Sequence, residues 1–173
     1  NNIVRDFRRI IPALSGTAGG AFTGVSVTSS NATTNIRNNQ IKNIVNPSSA
    51  STTIGLNASS APLTLKVIEG NIIDSLFTGG TINQGLVSAS GNLVEIRNNL
   101  IRGIASNRVG VTTGTISGLV ISSGTTVNAY NNIITGLTIP LSTSESAITV
   151  AGKIASSTYF AQIKSANPNI DFI

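Results

Sequence analysis

Histidine, cysteine, methionine and tryptophan are all missing from the 173 residues, and phenylalanine and tyrosine together number only seven. Without an imidazole or a thiol there can be no Ser-His-Asp triad, no cysteine nucleophile, no disulfide and no thiolate or imidazole metal centre. Carboxylates are scarce too: Asp6, Glu69, Asp74, Glu95, Glu145 and Asp171 are all there are. Any acid/base or metal chemistry would have to be built from those six, and no cofactor is expected. Long apolar runs are also lacking. No charge occurs between Arg108 and Glu145, but Ser, Thr, Gly and Asn interrupt every apolar stretch, whereas a membrane helix needs about 20 mostly apolar residues. The net charge of +5 comes from scattered Lys and Arg, only Arg8 and Arg9 being adjacent. With so few aromatic rings to stack on bases, no nucleic-acid partner is expected. The chain opens on Asn1 without Met, and without a basic stretch leading into an apolar one, so it reads as a processed product or a fragment.

What the chain does have is Ser, Thr and Asn, 62 residues in all, and aliphatics: 24 Ile, 12 Val and 11 Leu. This is too apolar for disorder and long enough for one domain. The aliphatics recur in phrases. Asn1-Asn2-Ile3-Val4, Asn38-Asn39-Gln40-Ile41, Gly70-Asn71-Ile72-Ile73, Asn98-Asn99-Leu100-Ile101 and Asn131-Asn132-Ile133-Ile134 share their second residue. Anchored on Asn2, Asn39, Asn71, Asn99 and Asn132, the repeat spans 30-odd residues. Apolar residues stand two after each anchor (Val4, Ile41, Ile73, Ile101, Ile134), five after (Phe7, Ile44, Leu76, Ile104, Leu137) and three before (Ile36, Ile68, Ile96, Ala129). An upstream phrase opens at Gly24, Gly55, Gly85 and Gly118, with a weaker echo at Ala147. The leg from that glycine to the next anchor is nearly constant, and the return leg absorbs insertions.

Short β-branched segments with period-2 apolar positions, broken by Gly, Asn and Ser/Thr clusters, read as strands and turns. A repeat with room for three strands and no helical segment predicts an all-β fold, a right-handed parallel β-helix (β-solenoid) of about five coils. Residues 1–150 hold the repeats, and 151–173, which lack an Asn-Asn phrase, are a degenerate coil, a cap or a continuation. Equivalent residues would stack at about 4.8 Å. The anchors are therefore expected to form an Asn ladder, each taking the left-handed backbone at a bend and bonding its neighbours through its amide. Two residues before the anchor the column reads Arg37, Glu69, Arg97 and Tyr130; three after it reads Arg5, Lys42, Asp74, Arg102 and Thr135. An acidic coil between basic ones predicts the inter-coil charge pairs Arg37-Glu69-Arg97 and Lys42-Asp74-Arg102.

The phrase Ile96-Arg97-Asn98-Asn99-Leu100-Ile101-Arg102-Gly103-Ile104, with its glycine partner near Gly85, resembles the right-handed parallel β-helix repeats of pectin-lyase-like proteins. More narrowly, Asn-Asn-x-Ile-x-x-Ile phrases joined by Ser/Thr/Gly connectors resemble repeats of large secreted surface or adhesin proteins of Bacteroidetes. The resemblance covers about residues 1–150. It implies a stalk, adhesin or matrix segment that is secreted to the cell surface by type IX export machinery, in some relatives linked to gliding. Asp74-Ser75-Leu76 resembles that phylum's O-glycosylation acceptor, and Asn31-Ala32-Thr33 and Asn57-Ala58-Ser59 fit the N-glycosylation pattern.

A non-enzymatic structural or adhesive segment is the expected function. Its partners would be flanking repeats, a cell surface or glycans met by the connectors 8–21, 45–53, 105–115 and 138–146, and other copies through end-to-end or lateral association. The alternative is a β-helix that binds or degrades polysaccharide, for which Glu69 and Asp74 are the only acidic pair close in sequence. Ice binding would need an even Thr array, but Thr52-Thr53, Thr112-Thr113 and Thr125-Thr126 fall at different offsets from their anchors. An outer-membrane barrel would need aromatic girdles that the seven rings cannot supply.

Overall fold

The computed structural model describes residues 1–8, 20–47, 51–106 and 115–138, together with the backbone of 145–150 and 154–163. Its strands are β1 (Ile3–Arg5), β2 (Phe22–Val27), β3 (Thr33–Arg37), β4 (Gln40–Asn46), β5 (Thr52–Ala58), β6 (Leu65–Glu69), β7 (Ile72–Thr78), β8 (Ile82–Ser88), β9 (Leu93–Arg97), β10 (Leu100–Ser106), β11 (Thr115–Ile121), β12 (Gly124–Thr138), β13 (Glu145–Val150) and β14 (Ile154–Ile163). All their pairings are parallel. The chain is a parallel β-solenoid. Three complete turns of three strands, β2–β4, β5–β7 and β8–β10, lie between β1 on one side and β11 to β14 on the other.

Each turn contributes one strand to each of three stacks. One stack is β2, β5, β8, β11 and β13, in a sheet of its own. The second is β3, β6 and β9 with the first half of β12; the third is β1, β4, β7 and β10 with its second half. Because β12 runs through the corner unbroken, the second and third stacks belong to one nine-stranded sheet. Beyond it, β14 pairs with β12 and continues the stack, with a register shift between Tyr130 and Asn132.

The aliphatic periodicity becomes a set of interior columns. Ile41, Ile73, Ile101 and Ile134 are buried, as are Ile36, Ile68, Ile96 and Ala129, and Ile44, Leu76 and Ile104. Leu137 packs partly buried against them. Phe7, at the first coil, is 40% exposed and stacks at 4.7 Å on Phe22. Columns of this kind bury the area that drives folding, and β-branched Ile and Val fit the extended backbone that must present them.

The glycine that opens each upstream phrase has a steric reason. A Cβ on Gly24 would lie 2.6 Å from Gly55 O and 2.9 Å from Ile41 Cγ2; on Gly55, 2.7 Å from both Gly85 O and Ile73 Cγ2; on Gly85, 2.5 Å from Gly118 O and 2.6 Å from Ile101 Cγ2. At these positions the backbone of one turn nests against the next turn and against the anchor+2 isoleucines, leaving no room for a side chain. Gly85→Ala is therefore expected to cost about 1–3 kcal/mol of stability through overpacking. Urea denaturation checks this, and an unchanged midpoint would contradict the close approach.

Candidate functional site

The corner between the second and third stacks shows how two asparagines divide one task. The first residue of each pair takes the left-handed backbone: φ is 56° at Asn38, 65° at Gly70, 54° at Asn98 and 53° at Asn131. Glycine can stand at 70 because that position needs only the conformation. The anchors Asn2, Asn39, Asn71, Asn99 and Asn132 have no such backbone. The expectation that each anchor makes the bend itself is corrected: the residue before it does.

The anchor supplies the hydrogen bonds. Asn71 Oδ1 accepts from Asn39 N at 3.0 Å and from Asn39 Nδ2 at 2.8 Å. Asn99 Oδ1 accepts from Asn71 N and Nδ2, both at 2.9 Å, and Asn132 Oδ1 from Asn99 N at 3.1 Å and Nδ2 at 2.9 Å. Asn39 Oδ1 accepts from Asn2 in the same way, at 3.0 Å and 3.0 Å. Each of the three later Nδ2 groups also donates backwards, Asn71 to Ile36 O, Asn99 to Ile68 O and Asn132 to Ile96 O, at 2.8–3.0 Å. Asn39, Asn71, Asn99 and Asn132 are buried. A side-chain carbonyl thus stands in for the backbone acceptor that the bend has turned away, and each buried anchor N–H from Asn39 to Asn99 is satisfied.

A second left-handed column lies four residues after the anchors: Asp6, Asn43, Ser75, Gly103 and Gly136, with φ of 55–66°. It kinks each third-stack strand where the register skips a residue. Sequence reasoning missed it, although Asp, Asn, Ser and Gly at one fixed offset are the residues that such a backbone tolerates.

On the outer surface, Glu69 Oε2 lies 3.2 Å from Arg37 Nε and Glu69 Oε1 lies 3.2 Å from Arg97 Nε. Arg97 also reaches Glu95 Oε2 at 3.1 Å and donates to Tyr130 Oη at 2.9 Å. The hydrogen bonds to Tyr130 and Glu69 raise the Arg97 pKa. The second set is uneven: Arg102 Nη2 donates to Asp74 Oδ2 at 2.8 Å, while Lys42 stands across from Asp74 in register and acts on it through its charge. The Arg102 hydrogen bond chiefly holds the Asp74 carboxyl below its ordinary range; partial burial opposes it, and the Ser75 hydroxyl adds to it. Arg5, across from Lys42 in the same column, meets Asp6 at 3.7 Å.

Two buried polar groups had no counterpart in the sequence reading. At the corner between the third and first stacks, Asn46 Nδ2 donates to Thr53 Oγ1 at 3.0 Å, Thr53 and Thr78 share a hydroxyl hydrogen bond at 3.2 Å, and Thr78 Oγ1 donates to Asn83 Oδ1 at 2.8 Å. The other is Lys66 on β6, fully buried, its Nζ donating to Ala58 O at 2.9 Å and Ala89 O at 2.6 Å. Burial lowers its pKa from 10.5 to about 8.

No group of three Asp or Glu placed to hold a metal ion occurs among the described residues, and no helix there is long and apolar enough to cross a membrane. Most of the four long connectors, and the side chains of Glu145 and Asp171, lie outside the described residues. The chain matches no family model, no curated protein and no solved structure.

Two outcomes follow from this geometry. Asn99→Ala removes the acceptor for Asn71 N and is expected to cost about 2–4 kcal/mol, a buried orphan and several lost bonds combined, whereas Asn98→Gly should lie within about 0.5 kcal/mol of wild type. Equal losses in urea denaturation would contradict the division of roles. For Lys66, the unfolded chain holds the proton up to pH 10.5 while the folded chain releases it near 8. Stability should therefore rise with pH across that window. In low-salt buffer the wild type should gain on Lys66→Met between pH 8 and 10.5, and parallel pH profiles would refute this.

Proposed function

We propose that the chain is a non-enzymatic structural or adhesive segment of a large secreted protein of the cell surface: a stalk, adhesin or matrix component. The observation that carries this reading is where the repeated residues go. The anchor asparagines, the left-handed residues beside them, the aliphatic columns and the upstream glycines are all spent on joining one coil to the next. A rod of stacked coils is what such a sequence makes well. The right-handed winding, the five-coil count and the kinship with Bacteroidetes surface proteins belong to this proposal, as do type IX export and an extracellular location. Flanking coils would be the first partners, and the long connectors would meet a surface or its glycans.

One observation favours a polysaccharide-directed alternative: Glu69, Glu95, Arg97 and Tyr130 gather on the outer face. Two carboxylates at one site are what glycoside hydrolysis uses. Here, however, both are ion-paired to the same guanidinium, which suits a structural clasp better than a proton donor. The deciding experiment pairs two measurements. Intact mass and peptide sequencing of the native protein should reveal further Asn-Asn phrases in the same polypeptide, and the purified chain should leave a panel of polysaccharides uncut. Cleavage by the wild type that is lost in Glu69→Gln would overturn the structural reading.

A further inference from the structure

The corner between the first and second stacks holds a buried charge. Lys66 occupies a column whose other members are Thr34, Val94 and Val127, and it is the charged member of that inward-facing set. Its ammonium spends two hydrogens on Ala58 O and Ala89 O and has a third to give. Three buried hydroxyl oxygens, Thr34 Oγ1, Ser60 Oγ and Ser88 Oγ, have no hydrogen-bond partner among the described residues. The register sets two of them beside the lysine's acceptors: Ser88 lies across from Ala58 and directly before Ala89, and Ser60 follows Ala58 by two, whereas Thr34 stands one coil back from Lys66 and two from Ser88. No described carboxylate compensates the charge. Glu69 and Glu95 are outside with Arg97, Asp74 with Arg102, and Asp6 with Arg5 and Asn43.

We propose that this corner is a binding site for a small monatomic anion of the halide class, held by the Lys66 ammonium and the hydroxyls of Ser60 and Ser88. An anion can accept from these three donors at once, and it neutralises a buried charge that otherwise costs stability. A water would satisfy some of the hydroxyls and leave the charge uncompensated. A groove of about 300 Å³ at the stacked turns, with Pro62, Leu63, Gly91 and Ser123 among its lining residues, runs next to the lysine stem. Gly91 closes over the lysine stem: a Cβ there would stand 3.3 Å from Lys66 Cε and 3.7 Å from Pro62 Cδ. This site is independent of the functional reading above, because it is internal and asks for no surface partner.

The test is thermal unfolding at neutral pH and fixed ionic strength, with chloride or bromide replacing a bulky organic anion such as isethionate. Wild type should show a saturable rise in Tm of about 4 °C. Lys66→Met should lose the halide response and Ser88→Ala should weaken it, both being compared with their own melting in isethionate. Crystals soaked in bromide should give an anomalous peak beside Lys66 Nζ. Equal Tm values in halide and isethionate, a full response retained by either variant, or only an ordered water at the corner would overturn the proposal. If Lys66→Met does not fold, Ser88→Ala and the bromide peak decide.

Discussion

At every bend of the first kind, a left-handed residue turns the chain, and the next amide N–H then points along the solenoid axis into the protein interior. From Asn39 to Asn99 that donor is buried, and an unpaired buried amide costs about 1–3 kcal/mol. The side chain of the asparagine in the next coil meets it, at 2.9–3.1 Å from Asn2 to Asn132. The remaining order follows from this contact. Once the ladder is in register, the isoleucines two residues on stack upon one another, the glycines of the first stack can nest beneath them, and Glu69 falls between Arg37 and Arg97. A slip of one residue would break the ladder and turn the aliphatic columns outward together.

The ladder also sets a direction. Every anchor from Asn2 to Asn99 donates forward to the next coil's Oδ1, and Asn71, Asn99 and Asn132 reach back to a carbonyl of the coil before. Asn71 and Asn99 therefore tie three coils, and their bonds form a polar chain in the low-dielectric interior where each bond counts for more. In the register of β14, Ala161 lies across from Asn132, and the backbone pairing continues beyond the last anchor. The outer ion pairs add little by comparison. Arg102 is about half exposed, and exposed pairs contribute about 0–1 kcal/mol; their use is to favour one order of coils.

Much of this was legible before any coordinates. Several residue classes keep the same offsets from each anchor although the repeat length varies, which points to stacked equivalents and is why the anchors, the aliphatic columns and the Arg37-Glu69-Arg97 set could be read from those offsets. The division of labour inside the Asn-Asn pair could not, because both residues are asparagine in most coils. Gly70 was the clue, since a residue without a side chain can make a bend but cannot make a ladder. Lys66 escaped because its column is otherwise Thr and Val, and a single lysine in an alternating strand reads as outward-facing. Thr53, Thr78 and Asn83 escaped for a related reason, in that hydroxyls and amides on a Ser/Thr-rich chain look like surface until the register shows them facing one another.

Amide hydrogen exchange followed by NMR tests the ladder most directly. If the stacked asparagines hold the coils, the backbone N–H of Asn39, Asn71 and Asn99 and the side-chain amides of Asn71, Asn99 and Asn132 will exchange as slowly as the central strand amides of β7 and β10, opening only with global unfolding. Exchange of those side-chain amides at the rate of free asparagine, with the strands still protected, would show that the coils hold together without the ladder and would contradict the account.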